Sequence, residues 1–148
     1  MDHTQFFSKE LWGLVAYPDR IGRGTAREVF ANRLDPDTVW KVEDTGRSFQ
    51  NVNEWEYWKH VELSEMSLWL APCVAVSATG SILLQKRTYP VPIGDLPKKV
   101  PAVFTDLKTS NWGMYDGRVV CHDYGKLLLD ANADMKLRKA DWWEEMRP

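Results

Sequence analysis

The chain has 148 residues, a formal charge of −2 and a pI near 5.9, with acidic and basic residues interspersed. The length predicts one domain, and the charge argues against a broad nucleic-acid-binding surface, so no nucleic-acid partner is expected. Because the sequence has neither a long apolar run nor a targeting segment, we expect a cytoplasmic protein with no membrane partner. Cys73 and Cys121 lie far from the histidines in sequence, so both are expected to be reduced and buried.

The first part of the chain predicts two strands that follow a short helical turn. The turn is expected at residues 8–12, and the segment 14–34 is typical of two strands. Gly22-Arg23-Gly24 interrupts this segment, so the two strands are expected to form a glycine-hinged hairpin.

A third strand and one helix are predicted next. Turn-forming residues at 35–38 precede an alternating strand at 39–42, which makes the first three strands consecutive and antiparallel. Residues 48–65 contain neither glycine nor proline, and their apolar side chains spread broadly around a helix. This helix is therefore expected to be covered on more than one side.

The second half of the chain predicts hairpins separated by a loop. Residues 73–77 and 81–85 are typical of a second hairpin, which brings the predicted strands to five. Four prolines make residues 89–101 a loop-rich crossing. An Asp-Gly pair predicts a further hairpin within 112–121, and the spacing at 134–146 predicts a C-terminal helix.

The first hairpin carries a candidate phosphate-binding loop. Gly22, Gly24 and Val29 fit the pattern GxGxxxxV, in which glycines allow backbone amides to approach phosphate groups. Lys41 follows Val29 by twelve residues and shares a strand face with Val39. A lysine there can reach the phosphates of a nucleotide under the glycine loop. Taken singly, the loop also fits a flexible hairpin and the lysine a solvated side chain.

Two glutamates of the predicted helix are candidate partners for Lys41. Glu54 and Glu56 diverge by about 200° around a helix, so only one of them can pair with the lysine. Glu54 shares a face with Trp58 and Val61, as expected of an inward-facing residue. We therefore favour Glu54 and keep Glu56 as the alternative.

A third motif combines an acidic loop with a second aspartate. Asp106, Lys108 and Asn111 precede a hairpin that ends at Asp123, an arrangement suited to phosphoryl transfer. Asn111 and Asp123 are predicted to hold Mg²⁺, and Asp106 is predicted to accept or orient the proton of the attacking hydroxyl. Lys108 is predicted to neutralise charge on the transferred phosphoryl group. Turns also favour Asp and Asn for local hydrogen bonding, which is the alternative for either half alone.

Taken in order, these motifs make residues 21–125 resemble the protein-kinase-like superfamily. The matches are the glycine-rich loop, the strand-three lysine, its helical partner, the catalytic loop and a D-Y-G in the place of D-F-G. They are carried by Gly22, Gly24, Val29, Lys41, Glu54, Asp106, Lys108, Asn111 and Asp123-Tyr124-Gly125. The resemblance also implies that Gln85 and Arg87 belong to the hinge that contacts adenine, and that ATP and Mg²⁺ are cofactors.

The resemblance implies an α+β fold built as a single minimal kinase-like domain. Residues 1–88 would form an N-lobe of five antiparallel strands and one helix. Residues 89–148 would supply the catalytic-loop hairpin, the D-Y-G element and a short helix in place of most of the C-lobe. Two departures are that Arg27 replaces the third glycine of the loop and that Phe104-Thr105 stands where His-Arg precedes the catalytic aspartate.

Two main functions follow from the resemblance. One is a minimal Ser/Thr-type protein kinase that binds ATP and Mg²⁺ and transfers the γ-phosphoryl group to a protein hydroxyl. The alternative is a pseudokinase-like binding module, such as a bacteriophage effector that inhibits a host protein in the host cytoplasm. Because little chain remains to replace a helical lobe, we expect a protein partner or a homodimer, with Trp142 and Trp143 in the contact.

Overall fold

The computed structural model of the chain describes residues 3–24, 26–43, 48–127 and 135–145, and for residues 3–7 it describes the backbone only. The described part contains two helices, α1 (His3–Val15) and α2 (Gln50–Val61). Its strands are β1 (Ala16–Arg23), β2 (Arg27–Asn32), β3 (Thr38–Glu43), β4 (Cys73–Val76), β5 (Ile82–Lys86), β6 (Lys99–Pro101), β7 (Trp112–Tyr115), β8 (Arg118–Cys121) and β9 (Leu137–Lys139). Neither of these helices is long and apolar enough to cross a membrane.

The first five strands form one antiparallel sheet in the order β1-β2-β3-β5-β4. The α+β class and the five-stranded antiparallel sheet predicted from the sequence are therefore confirmed. Lys41 lies in the central strand, opposite Val29 of β2 and Leu83 of β5. Because side chains alternate between the faces of a strand, this register points Lys41 and Val29 to the same face.

The two helices cover opposite faces of the sheet. Helix α1 is longer than the predicted turn at 8–12, and its Trp12 packs edge-on against Phe30 with ring centroids 5.6 Å apart. Phe30 is paired with Trp40, which is adjacent to Lys41 and so faces away from it. Helix α2 packs on the face that carries Lys41.

Helix α2 has one fully buried stripe, formed by Asn51, Glu54, Tyr57 and Val61. Trp55 and Trp58 beside this stripe are partly buried against the core, so the helix is covered more broadly than one stripe, as predicted. The prediction followed the apolar side chains alone, whereas two of the four buried residues are polar or charged. A buried glutamate needs partners that satisfy its charge, and those partners define the candidate site described below.

The second half of the chain contributes buried side chains to the hydrophobic core. The predicted hairpin at Asp116-Gly117 is confirmed as β7 and β8, with both turn residues at positive φ. Cys73 and Cys121 are free and buried, as predicted. Burial and the negative charge of Glu54 raise the pKa of Cys73 to about 12, so its thiol is protonated at neutral pH.

The prediction of a C-terminal helix at 134–146 is wrong for the residues that the structure describes there. Residues 137–139 instead form β9, which pairs with β6 in the segment expected to be a loop. Hydrogen bonds from Ala102 to Lys136 and from Ala140 to Lys98 extend this pairing, each 2.9 Å long. Tertiary pairing of this kind overrides helical propensity. The extended chain also brings Trp142 onto Trp112, with ring centroids 5.1 Å apart.

Candidate functional site

Lys41 forms the ion pair that the sequence predicted. Its ammonium group lies 2.5 Å from Oε1 of Glu54 and also donates to the backbone carbonyl of His122. Glu56 lies exposed on α2, so Glu54 is the partner of the lysine. The Lys41 side chain is only 4% exposed. This ammonium group is therefore held inside the protein by two oxygen acceptors.

Arg27 belongs to the site, although the sequence analysis did not place it there. It begins β2, and its guanidinium donates to Oε2 of Glu54 at 2.7 Å and to Oδ1 of Asp123 at 2.6 Å. A third bond, of 3.2 Å, reaches Oδ1 of Asn51. The alternation of β2 was a usable signal, because it places Arg27 on the same face as Val29 and Lys41.

Arg27, Lys41, Glu54 and Asp123 are called the buried ionic cluster below. Glu54 is its centre and is fully buried. Besides its two cationic partners, Glu54 accepts from the amide of Gln85 at 2.8 Å and from the backbone N–H of Tyr124 at 3.3 Å. Four donors thus share its two oxygens, which satisfies a charge that would otherwise be costly to bury.

Asp123 completes the cluster at its outer edge, with its side chain 35% exposed. Burial alone would raise the pKa of Asp123, but the positive charges of Lys41 and Arg27 outweigh burial and hold that pKa below its ordinary value. Burial alone would lower the pKa of Arg27, but the negative charges of Glu54 and Asp123 outweigh burial and hold that pKa above its ordinary value. Both shifts favour the charged forms of Asp123 and Arg27 at neutral pH, and the formal charges of the four cluster members sum to zero.

The predicted hinge residues lie in different surroundings from those expected. The side chain of Gln85 is fully buried and donates to Glu54. Arg87 follows β5, donates its backbone N–H to the carbonyl of Asp37 at 2.8 Å and places its guanidinium 5.2 Å from the ring centre of Tyr89. Sequence alternation in β5 would have shown that Gln85 shares the inward face with Leu83.

Gly22 and Gly24 of the predicted glycine loop lie within β1 and directly after it. Gly22 lies inside β1, paired with Val29, and the N–H of Gly24 donates to the carbonyl of Arg27 at 2.9 Å. Neither glycine has a positive φ. Among the described residues, a Cβ at Gly24 would meet no atom within 4 Å, and one at Gly22 would make ordinary contact with Val29. The fold itself therefore gives no steric reason for glycine at these two positions.

His122 joins the cluster to the loops around it. Its Nε2 lies 2.8 Å from the carbonyl of Ser110, and its Nδ1 lies 2.7 Å from the hydroxyl of Thr88. Because a carbonyl can only accept, Nε2 carries the proton and Nδ1 accepts from Thr88. Burial of the ring and the charge of Lys41 lower the pKa of His122 to about 4. His122 is therefore neutral at physiological pH.

The predicted catalytic residues lie on a separate, exposed surface. Asp106 accepts from the indole N–H of Trp143 at 2.7 Å, and Lys108 donates to Glu145 at 2.9 Å. The lysine also lies 5.6 Å from the ring centre of Trp143. Two backbone hydrogen bonds pair Trp143 with the loop. These four residues are called the catalytic-loop surface below, and the C-terminal segment contacts both predicted catalytic side chains there.

The predicted magnesium ligands are adjacent in the fold but do not fit the ion as they stand. The carbonyl of Asn111 accepts from the N–H of His122 at 2.9 Å, which brings the loop next to Asp123. The carboxylate of Asp123, however, is already bound by the guanidinium of Arg27. A divalent cation at that oxygen would meet a positive charge within a hydrogen-bond length. In the described ranges, no group of three or more His, Cys, Asp and Glu residues is placed to hold a metal ion.

Comparison with known proteins adds no assignment. No protein-family model matches this chain, and no curated protein matches it significantly.

Proposed function

We propose that this chain is a pseudokinase-like binding module, which uses a kinase-like arrangement of residues to bind a protein partner without transferring a phosphoryl group. The observation that carries the proposal is the closure of the buried ionic cluster. Arg27 and Lys41 supply two positive charges, Glu54 and Asp123 supply two negative charges, and each cation contacts a carboxylate of the cluster. No net positive charge is left there for a polyphosphate.

The energetic cost of opening the cluster supports the proposal. An ammonium group has three donors, so Lys41 can contact a phosphate while it stays paired with Glu54. The Mg²⁺ of a nucleoside triphosphate, however, would have to draw Arg27 away from Asp123 to reach that carboxylate. Contacting residues of one network are coupled by about 0.5–3 kcal/mol, which is a large part of the roughly 4 kcal/mol binding free energy of a millimolar ligand.

The catalytic-loop surface supports the binding half of the proposal. Its ion pair between Lys108 and Glu145 is exposed, and exposed pairs contribute only about 0–1 kcal/mol. Trp143 is 46% exposed on the same surface. Exposed tryptophans are typical anchors of protein interfaces. A partner protein can therefore displace these weak contacts and cover Trp143 at low cost.

ATP-dependent transfer is the second candidate function, because two observations favour it. The Lys41–Glu54 pair is present, as a kinase-like site requires. The side chain of Asp123 is also accessible enough to meet a ligand if Arg27 moves. In that function, Asp106 and Lys108 would act on the acceptor hydroxyl and Lys41 on the phosphates.

A nucleotide titration separates the two candidates. The Tm of wild-type protein is measured with millimolar ATP, with and without Mg²⁺. A separate, unheated sample is assayed for transfer from labelled ATP to itself and to a mixed protein substrate. We expect no change in Tm and no transfer. A saturable rise in Tm that requires Mg²⁺, together with transfer lost in Asp106→Asn, would overturn the proposal and favour the kinase. The Glu56→Gln variant, changed at an exposed position of α2, is the matched control.

A further inference from the structure

Three oxygen atoms, two from α2 and one from Asp123, converge on the guanidinium of Arg27. They are Oε2 of Glu54 at 2.7 Å, Oδ1 of Asp123 at 2.6 Å and Oδ1 of Asn51 at 3.2 Å. The two carboxylate oxygens contact the same nitrogen, Nη2. Arg27 itself is only 5% exposed. The guanidinium thus sits in a buried site made of two carboxylates and one amide oxygen.

Other residues fix the two ligands on α2 independently of Arg27. The amide nitrogen of Asn51 donates to the carbonyls of Lys41 and Gly80, at 3.1 Å and 3.0 Å. Because the nitrogen is turned to those two acceptors, the amide oxygen must face the guanidinium. Glu54 is held by Lys41 and Gln85 at Oε1 and by the backbone N–H of Tyr124 at Oε2. These two oxygens therefore keep their positions when the arginine side chain is removed.

This donor set is the one that hard divalent cations select. Ca²⁺ and Mg²⁺ take carboxylate and amide oxygens, and Ca²⁺ accepts flexible geometry at about 2.3–2.6 Å. The position of Nη2 is 2.6–2.7 Å from both carboxylate oxygens, close to that range. Water would complete the coordination, since Asp123 lies at the accessible edge of the site.

We propose that Asn51, Glu54 and Asp123 form a divalent-cation site that Arg27 occupies as a built-in cation, so that the wild-type protein is independent of metal at this position. The inference rests on the proposed function, because it takes the wild-type cluster to be closed. Removal of the guanidinium leaves two carboxylates facing one remaining cation, Lys41. A divalent ion in the place of the guanidinium then compensates the two carboxylates that contacted Nη2, with Oδ1 of Asn51, which contacted Nη1, as the third oxygen.

The test measures the Tm of variants with Mn²⁺ or Ca²⁺ and without nucleotide. Arg27→Ala is expected to gain about 4 °C or more at millimolar metal, relative to EDTA. Wild type and Arg27→Lys, which keep a cation, are expected to show no gain. The double variant Arg27→Ala with Asp123→Asn is expected to lose the response, because one carboxylate ligand is gone. A response that survives in the double variant would assign the metal to another place and overturn the proposal.

A second measurement covers the case in which Arg27→Ala is unfolded without metal. That variant and Arg27→Gln, which keeps a neutral donor, are refolded from denaturant in Mn²⁺ and in EDTA. Recovery of native circular dichroism in Mn²⁺ alone supports the site, whereas no gain for either variant overturns it. The result is distinguishable from a failure of the proposed function, because nucleotide binding by wild type is measured in a separate experiment.

Discussion

The buried ionic cluster and the catalytic-loop surface use the same kinds of side chain in opposite surroundings. In the cluster, Arg27 and Glu54 meet at 2.7 Å and are almost fully buried. On the surface, Lys108 and Glu145 meet at 2.9 Å, with the glutamate 73% exposed. The two pairs have nearly equal distances, but breaking the buried pair costs much more free energy, because water competes for the surface pair and not for the buried one. The cluster is a structural element, whereas the surface pair is exposed to solvent.

The largest expected effect comes from removing the centre of the cluster. Glu54→Gln leaves Lys41 and Arg27 with a single carboxylate, so we expect the free energy of unfolding to fall by about 3–5 kcal/mol. Denaturant unfolding measures this loss. Glu56→Gln, on the exposed side of the same helix, is the control and should change stability by less than about 0.5 kcal/mol. Equal effects at the two positions would show that the cluster stabilises the fold no more than an exposed side chain does.

The next effect is a pH dependence that arises in the buried region. The pKa of His122 falls from an ordinary 6.5 to about 4 on folding, so the unfolded chain binds more protons between these values. Stability is therefore full above about pH 6.5 and is lost as the pH falls towards 4, by up to roughly 3 kcal/mol. Unfolding curves measured across this window test the sign. In His122→Asn the slope should flatten, and an unchanged slope would assign it to other groups.

A smaller effect separates the two adjacent tryptophans of the C-terminal segment. Trp142 packs edge-on against Trp112, and its indole N–H donates to the carbonyl of Pro97 at 2.8 Å. Trp142→Ala is expected to cost about 2–3 kcal/mol, whereas Trp143→Ala is expected to cost less than about 1 kcal/mol. Thermal unfolding measures both. Light scattering of the same variants tests whether either residue supports a dimer, as the sequence analysis expected.

The smallest expected effect lies on the catalytic-loop surface. Lys108→Ala removes the pair with Glu145 and is expected to change stability by no more than about 1 kcal/mol. The change should shrink further in high salt, which screens exposed charges. A loss as large as that of Glu54→Gln would show that this surface is as rigid as the cluster.

Much of the fold was predictable because local signals and tertiary pairing agree there. The Asp-Gly turn and the alternation in β3 predicted a hairpin and a third strand, and both are present. The C-terminal segment failed because its strand forms by pairing with β6, about forty residues earlier, which local spacing does not show.

The candidate site was predictable only in part, for a similar reason. The pair of Lys41 with Glu54 followed from helix geometry. The contacts of Arg27 and Gln85 with Glu54 were missed, because the resemblance assigned a loop role to one position and a hinge role to the other. Strand alternation places both side chains on the buried face beside Glu54. In this chain, the period of two in the strands was a better guide to these residues than the family pattern.

A double-mutant cycle on Arg27 and Asp123 tests most directly whether the cluster is closed upon itself. The unfolding free energies of wild type, Arg27→Ala, Asp123→Asn and the double variant are measured in EDTA, so that no metal replaces the guanidinium. We expect a coupling energy of about 2–3 kcal/mol, as for contacting residues in one buried network. A coupling energy within about 0.5 kcal/mol of zero would mean that Arg27 does not hold Asp123 and would contradict a closed cluster.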